Sequence, residues 1–404
     1  MDVASEQIGA LMPAIKALFP VYNTGEALSH ICLSLCDHMR DRQTRVELMT
    51  PSSEPSGRRP FTRDAVPPPL RRVTYKFKLL RDRVDALLAA RFLRWIKDGE
   101  IAYLWPSCPI SVFRQLKRRG NRIVTERINC HTALAKEILD DAYARLGRPP
   151  AHGITDAMIA TEREELALAD HIFSPSPQVT RSLLAQGVER QKVLETSYGW
   201  EPNRIARGGT PPRSEEDGVT VAFVGGVSVR KGAHLLLEAW VRAGIKGRLI
   251  LAGTIEPEIA ETCAAHLSRP DVQPLGHVRD IGPVFRAADI FAFPTIEEGD
   301  PLVTYEAMSC SLPLLVSPMG AGRGARDGQE GIITDPYDQE GWVHALRKFA
   351  SDAELRRTFG QAGAKRAQEF TWRKVAAQRR QRLLESAIIT LPSGGRAPSP
   401  VAGK

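Results

Sequence analysis

The chain has 404 residues, 43% hydrophobic and 25% charged, with a formal net charge of +8. Such a length holds two domains with a core each, and the composition is that of an ordinary globular protein. It excludes a bilayer-spanning helix, since no apolar run approaches about 18 residues, and it argues against a disulfide framework or zinc module, since Cys32, Cys36, Cys108, Cys130, Cys263 and Cys310 are scattered without a C-x-x-C pair.

In chain order, Met1 onward lacks the basic start and compact apolar stretch of a leader peptide, so a cytoplasmic protein is expected. Apolar, β-branched runs predict strands at 15–19, 46–50, 101–105, 123–126, 171–174 and 193–197. Helical spacing falls between them near 27–40, 73–96, 110–119 and 132–146, and the Pro, Ser and Arg-rich stretch 51–69 reads as a long loop. Segment 199–218 has the Gly, Pro and charge content of a linker. The second half is clearer. A strand at 219–224 (VTVAFV) stops at Gly225-Gly226, followed by a helix at 233–243 and a strand at 248–252. A helical stretch near 257–267, strands at 289–294, 312–316 and 331–334, and a helix at 301–310 precede the final helices. Residues 391–404 read as a disordered tail. Strands alternating with helices predict an α/β protein: two Rossmann-like, doubly wound parallel-sheet domains, 1–198 and 219–371, facing each other across a cleft.

Charge is unevenly spread. Between Arg58 and Arg122, 17 Lys or Arg stand against 5 Asp or Glu, a balance that attracts polyanions or simply solvates a face. Within this region the stretch 73–96 carries an apolar stripe with basic flanks. It suits either the surface of an anionic membrane or packing on the first sheet.

The most informative passage is 295–308, TIEEGDPLVTYEAM. Glu298 and Glu306 have seven residues between them. Asp300 is a good N-cap residue and Pro301 suits a first helical position. The pattern therefore predicts Glu298 on the loop closing a strand and Glu306 in the next helix, with carboxylates on the order of 10 Å apart. That span fits a nucleotide sugar: one carboxylate for the sugar hydroxyls, the other for the ribose. The diphosphate would lie between them, against the helix start formed by Gly299, Asp300, Pro301 and Leu302, where partial positive charge favours an anion. Chance and the ordinary preference for acidic residues near helix starts give the same spacing a bland explanation.

With its flanks, the passage resembles the E-x7-E signature of retaining glycosyltransferases of family 4, which have the GT-B fold. Val224-Gly225-Gly226 and Arg230-Lys231-Gly232 are similar to that family's glycine turn and Lys-Gly pair. Leu275-Gly276-His277-Val278 resembles the loop that touches the base, and Ala287-Ala288-Asp289 with Phe293-Pro294-Thr295 the approach to the signature. Residues 328–338 resemble the family's closing turn, so the likeness runs across about 193–370.

The resemblance implies that Glu298 binds the donor sugar, Glu306 the ribose, and Lys231 the diphosphate, with Gly225, Gly226 and Val278 around the donor. Where the family has a second cation, this chain has Gly226, and Arg230 is the residue that would supply the charge. His131, after the strand at 123–126, matches a family histidine near the donor sugar; closing a helix start is its alternative role. Gly25 falls where the family has a glycine-rich loop near the donor, or serves an ordinary turn. A last helix at 372–388 is expected to return to the first domain. No D-x-D metal motif occurs, so a metal-independent transfer without cofactor is expected, its leaving group stabilised by cations and a helix terminus.

The resulting expectation is a retaining glycosyltransferase that moves a sugar from a nucleotide-diphosphate donor to a saccharide or lipid-linked acceptor, in cell-envelope polysaccharide or glycoconjugate synthesis. It would work in the cytoplasm, in peripheral contact with anionic membrane, with no specific nucleic acid as partner. The alternatives are a phosphorylase or nucleotide-sugar hydrolase on the same fold, or a non-catalytic basic protein associated with nucleic acid.

Overall fold

The computed structural model describes residues 13–66, 81–205 and 218–389. The chain start, most of the 199–218 linker, the 391–404 tail and the part of the 73–96 stretch before Arg81 lie outside the described residues.

The first sheet comprises β1 (Ile15–Leu18), β2 (Val46–Thr50), β3 (Thr62–Asp64), β4 (Ile101–Leu104), β5 (Arg122–Glu126), β6 (His171–Ser174) and β7 (Val193–Glu195). The second comprises β8 (Val219–Val224), β9 (Gly247–Ala252), β10 (Val272–Gly276), β11 (Ile290–Phe293), β12 (Leu314–Val316) and β13 (Gly331–Ile333). Both are wholly parallel, in the orders β3-β2-β1-β4-β5-β6-β7 and β10-β9-β8-β11-β12-β13. Each order reverses once, between β1 and β4 and between β8 and β11. Ligands of such sheets bind outside the carboxyl ends of the strands at that reversal. The longer helices are α1 (Ala27–His38), α2 (Arg81–Trp95), α3 (Ile110–Arg118), α4 (Thr132–Arg145), α5 (Asp156–Leu168), α6 (Pro177–Ala185), α7 (Ala233–Ala243), α8 (Leu302–Ser309), α9 (Gln339–Ser351), α10 (Ala353–Ala367) and α11 (Trp372–Ile389). None of the described helices is long and apolar enough to cross a membrane.

Four readings of the sequence need correction. The loop at 51–69 contains the edge strand β3, held against β2 by pairing rather than by apolar burial of its own residues. β10 (VQPLG) escaped notice because a proline and a register shift between Pro274 and Gly276 break its pattern. The stretch 257–267 is not one helix but two short ones, Pro257–Thr262 and Ala264–Leu267. Helices α5 and α6, capped by Thr155 and Ser176, were also missed.

Over its described length, the stripe of α2 is buried: Leu88 and Phe92 pack with Leu18, Leu104 and Phe113, and Val84 is also covered. Much of the neighbouring basic charge is paired locally. Arg114 meets Glu164 at 2.6 Å, Lys117 meets Asp170 at 2.6 Å, and Arg119 meets Asp98 at 2.9 Å.

The chain crosses between the sheets twice, side by side. Trp200 donates its amide to the Phe370 carbonyl at 3.0 Å, and Trp372 donates back to the Trp200 carbonyl at 3.3 Å. From there α11 returns to the first sheet and lies along α1. Trp372, Val375, Ala376, Arg379 and Leu383, spaced at helical intervals, are all buried. Arg379 is fully enclosed. It pairs with Glu126 at the end of β5, at 2.6 Å, and donates to the Ser197 carbonyl at 3.0 Å. The hydroxyls of Tyr103 and Tyr198 also reach Glu126, Tyr198 at 3.1 Å.

Candidate active site

Of the sequence-derived residues of the second half, Arg230, Lys231 and Glu298 gather where its sheet order reverses, while Val278 follows the edge strand. Arg230 and Lys231 follow β8; Glu298 follows β11. Their loops are stitched through one acceptor: the Arg230 carbonyl takes the Ile296 amide at 2.9 Å and the Thr295 hydroxyl at 3.3 Å. Gly232 makes this approach possible. Its φ is +67°, and a Cβ there would stand 2.1 Å from the Pro294 carbonyl oxygen. Gly225 and Gly253 give the other close approach, with a Cβ on Gly253 meeting the Gly225 carbonyl oxygen at 1.8 Å. Gly226 differs. A Cβ there meets nothing within 4 Å.

Lys231 is mostly buried, forms an ion pair with Glu298, and lies 5.3 Å over the Phe293 ring. Burial, then the neighbouring Arg230 guanidinium, push its pKa well below the ordinary lysine value, with Glu297 and Glu256 opposing. A desolvated ammonium beside a second cation gains from any anion that arrives. Arg230 lies 3.9 Å from Glu298 and donates at 3.2 Å to both the carboxylate and the carbonyl of Glu297.

The helix start that follows is open. α8 begins at Leu302 with Pro301 as N-cap and no side-chain cap. The expected cap, Asp300, is used elsewhere, which corrects the sequence reading. Its buried carboxylate accepts from the Tyr198 amide at 2.7 Å, the Arg323 amide at 2.9 Å and the Tyr305 hydroxyl at 2.8 Å. Burial pushes its pKa up to about 6 despite those three donors. Asp300 thus ties the end of the first half to α8. The α8 amides, left uncapped, offer their partial positive charge to a ligand. Glu306 lies buried on α8. Val278 is half-buried after β10, next to the exposed Leu275 (47%) and the left-handed Gly276.

Across the gap, the loop after β5 presses on this site. The Ile128 carbonyl would stand 1.7 Å from a Cβ on Gly299, so only glycine fits there. Asn129 Nδ2 and Cys130 Sγ donate to the Glu297 carboxylate at 3.2 and 3.1 Å. Glu297, adjacent to the signature glutamate, is thus the contact the sequence reading missed; the doubled TIEE was its only trace. His131 caps α4, accepting the Ala133 amide at 3.1 Å while 1% exposed, and burial lowers its pKa. The structure gives it the helix-closing role. Gly25 has a φ of +79°, and a Cβ on it would meet the Ser56 carbonyl oxygen at 2.7 Å, which accounts for a glycine in that turn.

Comparison with known proteins agrees with the two-sheet architecture. Residues 218–352 match the family model described as glycosyl transferases group 1. The chain is 30% identical over 256 residues to a D-inositol 3-phosphate glycosyltransferase of Streptomyces coelicolor, covering 57% of this chain and 56% of that one. It is 28% identical over 268 residues to that of Geodermatophilus obscurus, covering 60% and 58%. It therefore spans about half the length of the curated relatives it matches. Among solved structures, sucrose-phosphate synthase from Thermosynechococcus elongatus superposes with a TM-score of 0.69 at 19% identity, over 94% of this chain and 100% of that one. HepE from Anabaena, in complex with UDP and glucose, superposes with a TM-score of 0.64 at 14% identity, over 92% and 100%. These likenesses establish the two-sheet GT-B architecture, within which residues 218–352 match the group 1 glycosyl transferase model.

Proposed function

We propose that the protein is a retaining glycosyltransferase of the family 4 type, moving a sugar from a nucleotide-diphosphate donor to a hydroxyl of a saccharide or lipid-linked acceptor. One observation carries the reading: at the reversal of the second sheet, Lys231 and Arg230 meet Glu298, on the loop that leads into the uncapped start of α8. An arriving diphosphate replaces the Glu298 carboxylate as partner of Lys231 and accepts from the α8 amides. Glu298, released, accepts from hydroxyls of the donor sugar, and Glu306 from the ribose. The second domain, 219–371, is the donor domain, and the first, 1–198, the acceptor domain.

In the chemical step the bond between the anomeric carbon and the departing phosphate oxygen breaks as the acceptor oxygen bonds to that carbon on the same face. The acceptor proton passes to the phosphate oxygen. Lys231, Arg230 and the helix start stabilise the charge on the leaving group without a metal or cofactor. The contact of the 128–130 loop with Gly299 and Glu297 keeps water from the site. Six free cysteines suit a cytoplasmic setting. There the basic region meets anionic lipid where its charges are unpaired, and the enzyme serves cell-envelope polysaccharide or glycoconjugate synthesis.

The test is a thermal-shift panel of UDP, GDP, ADP and their sugars. At about 100 times its dissociation constant, a true ligand adds about 2.7 kcal/mol of stability. Flat curves for every nucleotide would overturn the reading. Product analysis in water and in phosphate then separates transfer from hydrolysis and phosphorolysis.

A further inference from the structure

A cavity of about 700 Å³ runs along α4 and α5 and reaches Arg230, Glu256 and Glu297 of the second half. That volume is ordinary for a small-molecule site. One wall is apolar, made by Leu139, Tyr143 and Met158, the last 51% exposed. The other wall is charged, and its charges do not cancel. Arg127 is paired with Glu162, and Arg230 with Glu297 at 3.2 Å. Two carboxyls remain, Glu165 and Glu256.

Glu165 is the telling one. It is 8% exposed, yet its side chain has no hydrogen bond or ion pair among the described residues. Burial pushes its pKa up to about 7, against the pull of Arg127. Burial, with Glu258 nearby, also raises Glu256. Beside Glu165, the buried Nε of Arg127 has no acceptor. A buried N–H without an acceptor costs stability, and a ligand that supplies an acceptor there, with a donor for the cavity-lining Glu165, recovers it.

Resting on the donor site proposed above, we infer that this cavity holds the acceptor, and that the acceptor is a sugar or polyol bearing a protonated amine rather than a phosphate. The ammonium pairs with Glu165. A ring or hydroxyl oxygen accepts from Arg127 Nε, and the C–H face of the ring lies on Tyr143 and Leu139. Arg230 and Glu297, which line the cavity beside Glu298, bring its far end to the donor. A phosphate in the same place would face Glu162, Glu165, Glu256 and Glu297, with both arginines already paired.

The experiment is calorimetric titration of the full chain at pH 7 with glucosamine, glucose and glucose 6-phosphate, alongside the nucleotide panel. Glucosamine is expected to bind at least tenfold tighter than glucose, with glucose 6-phosphate weaker than either. In Glu165→Gln the advantage of glucosamine over glucose disappears. Equal binding of the three, a preference for the phosphate, no glucosamine binding, or an amine preference that persists in Glu165→Gln would overturn the inference. The wild-type ranking decides whether or not the variant folds. A nucleotide response without amine preference defeats this inference alone; amine preference without any nucleotide response defeats the donor-site reading alone.

Discussion

The two sheets share a strand order over six strands but treat their carboxyl ends differently. In the first half, the groups that meet the returning helix and the next helix start are spent on the protein itself. Glu126 is enclosed with Arg379 and two tyrosines, and His131 closes a helix. In the second half, the groups at the reversal point are paired with one another. Lys231 rests on Glu298, Arg230 bridges to Glu297, and the α8 start has no cap. One topology thus supports an internal clasp at one end and, on the reading proposed above, an anion site at the other, because function resides in the loops rather than in the sheet.

Perturbing each half separately sharpens this contrast. Arg379→Ala should have the largest effect: removing one partner of a buried pair costs about 3–5 kcal/mol. Urea denaturation should show that loss, while the stability increment given by nucleotide stays as in the wild type. Lys231→Ala should do the reverse. It should lower turnover by roughly 10²–10³-fold, about 2.7–4 kcal/mol, and flatten the nucleotide response, with a smaller change in urea stability than Arg379→Ala. If Lys231→Ala behaves like Arg379→Ala, the two ends of the molecule are not different in kind.

Acid should act on the second half through His234, beside the cationic loop. Burial lowers its pKa from 6.5 to about 4. The unfolded chain therefore binds this proton first, and stability present above pH 6.5 falls as pH drops toward 4, by on the order of 3 kcal/mol. His234→Gln should flatten that part of a stability–pH curve. The smallest effect expected is a gain. Gly226 has open space around it, so Gly226→Arg should fit and add a second cation for the diphosphate. A few-fold to tenfold tighter nucleotide binding, about 1 kcal/mol, is expected by titration. Weaker binding would show that the Gly226 surface lies against the ligand backbone.

Much of this was legible in the sequence where local pattern decides. The runs forming β2, β6 and β8 and the spacing of α7 match the structure at both ends. Lys231 and Glu298, 67 positions apart, were linked only through a resemblance of motifs, and the structure brings them into contact. What stayed hidden depends on distant partners. Asp300 looked like a cap because nothing nearby announces Tyr198, 102 residues earlier, or Arg323, 23 later. Glu126 and Arg379, 253 residues apart, show no spacing at all. β3 and β10 were missed because edge strands, held by pairing on one side, need little apolar pattern.

That last distance has a consequence for biosynthesis. Glu126 emerges from the ribosome long before Arg379, which is supplied by the final helix. At about 5–20 residues per second, the early lobe waits roughly 10–50 s with an acidic group lodged in its interior and no counter-charge. Until that partner arrives the early lobe stays loose, so a truncated chain ending before residue 372 should be the species that chaperones and proteases see most.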